Sequence, residues 1–167
     1  PAIKEHGEGG WVLNVASMAG MMGMPYAAAY CASKAAVVSM TESWVPELKP
    51  FGIHTSVLCP AFVKTRIHES YRNRQQKYAV AAEKRIDKEK LKAGAQAATK
   101  AVESGIDASV LAERVIEALQ SEQTYIYTHP NYRKVTTARF GAIDSAFVDA
   151  EQSQAVGHLI DDEIVTF

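Results

Sequence analysis

The sequence predicts an α/β fold in which about three parallel strands carry helices on their faces. Two short apolar runs rich in β-forming residues, Trp11–Val15 and Ile53–Cys59, flank a long helical stretch from about Ala27 to Lys49. Strand, long helix and strand in that order make a right-handed βαβ unit, since parallel neighbours need a crossover of that kind. A third β-prone run, Thr124–His129, follows an amphipathic helix and continues the alternation.

Pro1–His6 reads as the tail of a helix, and Gly7-Glu8-Gly9-Gly10 as its stop and turn. A phosphate-cradling loop would follow a strand and open a helix, whereas these glycines precede a strand. Trp11–Val15 fits a buried parallel strand. Ala16–Tyr26 is then a loop whose glycines allow close backbone approach, with Met18 as apolar pocket wall and Met21, Met22 and Met24 as either wall or packing. The helix carries Tyr30, Lys34, Val38, Thr41, Val45 and Leu48 at three- and four-residue steps. Pro46 bends only its last turn, and Pro50-Phe51-Gly52 ends it. Ala27, Ala28, Ala29, Ala32, Ala35 and Ala36 leave its other faces small enough for close helix contact.

Ligands in open parallel sheets bind beyond the carboxyl ends of the strands. Ser17 and the loop Pro60–Thr65 both lie just past such ends, so topology alone brings them together. Arg66–Glu103 is helix-prone, with Tyr71 and Tyr78 early and a mixed-charge run, Glu83–Lys90, that reads as a solvated face. Asp107 caps an amphipathic helix whose stripe is Val110, Leu111, Ala112, Val115, Ile116 and Leu119. Thr124–His129 is the final strand and Asn131–Asp149 the last helix. Glu151–Phe167 is a tail that either frays or docks on a neighbouring subunit.

Composition excludes several classes. Of 167 residues 47% are hydrophobic and 22% charged, ordinary for a soluble domain with a core, and the net charge is −1. Nothing in that charge pattern points to nucleic acid or to an anionic membrane surface. The apolar-rich stretch Met18–Tyr30 is broken by Gly20, Gly23 and Pro25 and is too short to span a bilayer. Cys31 and Cys59 have no redox or metal-ligand spacing and read as buried free thiols of a cytoplasmic protein. The five histidines contain no His-x-x-x-His pair, so no metal is expected.

The chemistry centres on Tyr30 and Lys34, four residues apart and therefore on one helix face, with Ser17 at the end of the preceding strand. A phenol is a poor base near neutrality, and a nearby ammonium favours its ionised form. The Ser17 hydroxyl can donate to a substrate oxygen on which charge develops. Hydroxyl, phenol and ammonium so placed form a proton-transfer arrangement.

With Asn14-x-x-Ser17 upstream and Cys59-Pro60-Ala61-Phe62-Val63-Lys64-Thr65 downstream, the set resembles the short-chain dehydrogenase/reductase family, over roughly Pro1 to His129. The resemblance implies a Rossmann-like doubly wound parallel sheet of which only the second half is present, residues 1–150 being the C-terminal part of one domain and 151–167 a tail. It implies Ser17, Tyr30 and Lys34 as catalytic residues and NAD or NADP as cofactor, held by Tyr30, Lys34, Pro60, Ala61, Val63 and Thr65. Ala61 stands where the family usually has Gly. Substrate contacts are expected from Ser17, Met18, Tyr26 and Phe62, with 66–103 either a substrate lid or an ordinary surface helical hairpin. A homodimer or homotetramer is expected, because in the family the helix carrying Tyr30 often packs against its copy.

The glycine fingerprint loop, the residue that selects NAD or NADP, and the family's catalytic Asn have no counterpart here. The sequence therefore reads as a piece beginning mid-helix. The activity implied is interconversion of a secondary alcohol and a ketone. Its rivals are an epimerase or dehydratase on the same scaffold, or a truncated interaction module without catalysis.

Overall fold

A computed structural model describes residues 1–73, 75–78 and 88–164 of the chain. They divide into two compact units, Pro1–His129 and Pro130–Phe167. The first unit holds a parallel sheet in the order β1-β2-β3: β1 is Gly10–Val15, β2 Ile53–Cys59 and β3 Tyr125–Tyr127. β1 runs beside β2 in register from Gly10 opposite Ile53 to Val15 opposite Leu58. β3 pairs with the carboxyl half of β2, Val57 opposite Tyr125 through Cys59 opposite Tyr127. This is the expected parallel α/β sheet, with β2 central and buried along almost its whole length.

α1, Ala2–His6, stops at Gly7, whose φ of 71° needs the left-handed region that glycine adopts freely. α2, Ala28–Leu48, crosses from β1 to β2. It runs through Pro46, and a 3-10 turn at Lys49–Phe51 closes it. Its stripe is buried at Val38 and Thr41. Thr41 is held on both sides: its hydroxyl donates to the Val37 carbonyl at 2.6 Å and accepts from Asn14 Nδ2 of β1 at 3.0 Å. Burial without loss of hydrogen bonding explains how a polar residue sits in the core.

α3, Lys88–Glu103, and α4, Ala108–Gln120, precede β3. Ala118 of α4 packs with Leu58 and Ile126, and Leu13, Leu111, Val115 and Leu119 close around them. Several expectations are corrected. Val110 and Ile116 are exposed, so the buried stripe of α4 is narrower than its apolar residues suggest. Asp107 stands at the N-cap position without a capping side-chain bond; its carboxylate pairs with Lys64 at 3.0 Å instead. The helix-prone stretch Arg66–Glu103 begins with 3-10 turns at Ile67–Asn73 and Gln76–Tyr78 before α3. Most of the charged run Glu83–Lys90, residues 83–87, lies outside the described residues.

In the second unit, a 3-10 turn at Pro130–Tyr132 leads into α5, Arg133–Glu151, two residues later at each end than the expected Asn131–Asp149. Gly157–Asp161 forms another 3-10 turn. Among the described residues no helix is long and apolar enough to cross a membrane, and no cluster of three His, Cys, Asp or Glu could hold a metal.

Candidate active site

The site is built at the carboxyl ends of β1 and β2. The ladder between them continues past the strands: Ala16 N–H donates to the Leu58 carbonyl at 2.8 Å, and Met18 N–H to the Pro60 carbonyl at 2.9 Å. These bonds stitch the Ser17 loop to the Pro60 loop, as the topology anticipates. Ser17 is fully extended and opens a 3-10 turn, Met18–Gly20, its Oγ accepting from Ala19 N–H at 3.1 Å. That bond uses a lone pair and leaves the Ser17 O–H free to donate.

Lys34 reaches from α2 to the same strand end. Its Nζ donates to the Val15 carbonyl at 3.1 Å and lies 6.0 Å from the centre of the Tyr30 ring. An ammonium has three donors, so two remain for other oxygens. Tyr30 is 40% exposed, one turn before Lys34. The approach of the Ser17 loop to α2 depends on Gly20, where an added Cβ would meet the Lys34 carbonyl oxygen at 2.7 Å. Gly23, by contrast, has open space around it.

The Pro60–Thr65 loop is anchored by an isolated parallel bridge between Val63 and Ile106. Phe62 accepts from Ile106 N–H at 3.1 Å and Lys64 N–H donates to the Ile106 carbonyl at 2.9 Å. The bridge bonds are thus made by the residues on either side, which turns the Val63 amide and carbonyl away from Ile106. Gly105 permits the close approach, since a Cβ there would meet the Phe62 carbonyl oxygen at 2.5 Å. Thr65 is exposed, its Oγ1 accepting a long 3.4 Å bond from Ile67 N–H. Pro60 and Ala61 are partly buried and Phe62 is exposed.

Of two expected substrate contacts, one is enclosed and the other open. Met18 is only 4% exposed, so its side chain packs inward beneath the loop and does not line an open wall. Tyr26 is 108% exposed and has a φ of 62°, an unusual left-handed conformation for a bulky residue.

Beneath the site, Cys59 is fully buried, and burial pushes its thiol up to about 11, partly offset by a hydrogen bond from the Ser17 backbone. Tyr125 donates to Glu42 of α2 at 2.5 Å, and that bond, with burial, pushes its phenol up to about 12. Beyond Thr65, Arg66 grips Glu69 through Nε at 2.7 Å and a terminal nitrogen at 2.6 Å, holding the carboxyl below its usual range. The Glu42–Tyr125 and Asn14–Thr41 pairs escaped the reading of the sequence. Asn14 gave a signal as part of a recognised motif and Thr41 as part of the helix stripe, but neither pairing did.

Comparison with known proteins bears on the family and the fold. A family model described as short chain dehydrogenase matches residues 1–76. The CLA biosynthesis dehydrogenase/reductase of Lactiplantibacillus plantarum is 33% identical over 130 residues, covering 77% of this chain and 46% of that protein. A crystal structure of a short-chain dehydrogenase/reductase from Burkholderia phymatum in complex with NAD matches with a TM-score of 0.77 and 33% identity, covering 85% of this chain and 50% of that one. This chain belongs to the short-chain dehydrogenase/reductase family. The C alpha-dehydrogenase of Sphingobium sp. (strain NBRC 103272 / SYK-6) is a further relative, 29% identical over 143 residues, covering 86% of this chain and 45% of that protein. The chain spans about half the length of these short-chain dehydrogenase/reductase relatives.

Proposed function

We propose that the complete protein is an NAD- or NADP-dependent oxidoreductase that interconverts a secondary alcohol and a ketone, with Tyr30 as general acid/base. The observation that carries this reading is the position of Lys34. Its ammonium is fixed to the end of β1, one helical turn from Tyr30, where the Ser17 and Pro60 loops are joined. The NAD complex of the Burkholderia phymatum relative supports a nicotinamide cofactor, and the relatives' dehydrogenase names support oxidoreduction.

The donors present suit the nicotinamide half of such a cofactor. The Val63 amide and carbonyl, left outside the bridge to Ile106, would hold a carboxamide, and the two remaining Lys34 protons would hold ribose hydroxyls. When bound, the cofactor accepts or supplies the hydride at the alcohol carbon. The chain's own residues manage the proton and the oxygen. In the oxidation direction Tyr30 Oη takes the hydroxyl proton of the substrate, and in reduction it returns it. The free O–H of Ser17 donates to the substrate oxygen, and the charge of Lys34 stabilises negative charge passing through the phenol oxygen. The described residues 66–73, 75–78 and 88–103 act as the cover over the substrate, and the exposed Phe62 contacts it.

The test is an assay of the complete protein against a panel of secondary alcohols with NAD+ and NADP+, following formation of the reduced nicotinamide. Turnover with at least one alcohol and one nucleotide is expected. Turnover of an epimerase or dehydratase substrate without net change in nicotinamide would replace the reading.

A further inference from the structure

We infer that α5 is a self-association surface, pairing antiparallel with α5 of a second copy of the chain. None of its residues is buried. Thr136, Phe140, Ile143 and Phe147 recur at steps of four, three and four, which places them on one face. The large ones are open to solvent, Phe140 by 53%, Ile143 by 40% and Phe147 by 68%. A continuous apolar stripe of that kind marks a contact surface, whereas scattered exposed apolar residues do not.

Charge selects the occupant. Arg133 and Glu151 begin and end the helix, and the step of 18 residues from one to the other is five full turns of 3.6 residues. Both therefore lie along the same flank of the stripe, at opposite ends. A two-fold axis across two antiparallel copies brings like flanks together and opposite ends together. Arg133 then meets the partner's Glu151, and the symmetry makes the pair twice. The same register sets Phe140 against the partner's Ile143 and Phe147 against the partner's Thr136. Parallel pairing would instead leave Arg133 and Glu151 on opposite flanks and at opposite ends, with no ion pair between the copies, and would align the two helix dipoles unfavourably. The stripe and its flank are thus self-complementary in one orientation.

The experiment measures the mass of the complete protein by light scattering. Phe147→Glu should halve the mass of the assembly. Arg133→Glu and Glu151→Arg, each alone, should weaken the association at least about tenfold, because each sets like charges face to face. The double reversal R133E/E151R should restore it. These exposed positions can be changed without disturbing a core, so the charge series stands even where Phe147→Glu is poorly soluble. A mass unchanged by Phe147→Glu, with a lowered melting temperature, would mean that the stripe is covered by its own chain and would overturn the inference. So would a double reversal that fails to restore what the single changes remove.

Discussion

Gly20 and Cys59 show how single residues hold the site in place. At Gly20 the Ser17 loop passes so close to α2 that a methyl group would meet the Lys34 carbonyl oxygen at 2.7 Å. Gly20→Ala must push the loop away from the helix, and backbone on both sides leaves little room to yield. We expect a loss of about 1–3 kcal/mol and a fall in kcat, measured by chemical unfolding and by turnover of the complete protein. Unchanged stability and kcat would show that the loop tolerates displacement. Cys59 offers a pH test. Its thiol, ordinarily ionising near 9.0, holds its proton in the fold up to about 11. Between those values the unfolded chain gains from ionisation and the folded chain does not. The stability due to this group is therefore full below 9.0 and declines as pH rises towards 11, by on the order of 2 kcal/mol. Thermal melts across that window should show a steeper decline for the parent than for Cys59→Ala. Equal slopes would mean that Cys59 ionises freely in the folded state.

At the scale of elements, the connection between α2 and the sheet rests on polar contacts at two successive positions. Asn14 of β1 holds Thr41, and Tyr125 of β3 holds Glu42. Both lie two turns along α2 from Lys34, so they set the register in which Lys34 meets Val15. Tyr125→Phe removes the donor to Glu42 and should cost about 1 kcal/mol, the partial exposure of the pair lowering the usual value of a charged hydrogen bond. Glu42→Gln should cost a similar amount, and the double variant little more than either single one. Additive losses would show that the two residues act separately. What the sequence reveals follows the same division. Ile53–Cys59 is readable to the residue because the helix stop Pro50-Phe51-Gly52 and the turn at Pro60 bound it, although His54, Thr55 and Ser56 interrupt its apolar residues. Thr124–His129 alternates equally well, yet only Tyr125–Tyr127 is strand, because β2 ends at Cys59 and offers no further partner. Tyr30, Lys34 and Ser17 stand out through short spacings. Tyr125 and Glu42, 83 residues apart, carry no local pattern, and Asp107 reads as a cap because Lys64, which takes its carboxylate, is remote in sequence.

At the scale of the whole molecule, β1 is an edge of the sheet, with Trp11 and Val15 more than half exposed along it. An open, apolar parallel edge invites pairing with other chains. Residues 1–167 expressed alone should therefore aggregate, and should show no saturable binding of NADH or NADPH at micromolar concentration by fluorescence titration. A monodisperse chain that melts cooperatively and binds either nucleotide would show that the site needs nothing more. In the complete protein, the proposed chemistry depends on one atom, the phenol oxygen of Tyr30. Tyr30→Phe deletes it and leaves the ring, α2 and the Lys34 contact to Val15 in place. The most direct measurement is kcat for alcohol oxidation by this variant, with its nucleotide affinity measured in parallel. A fall of at least about 100-fold in kcat with nucleotide affinity retained is the expected result. Undiminished kcat would contradict the assignment of Tyr30 as the group that moves the proton.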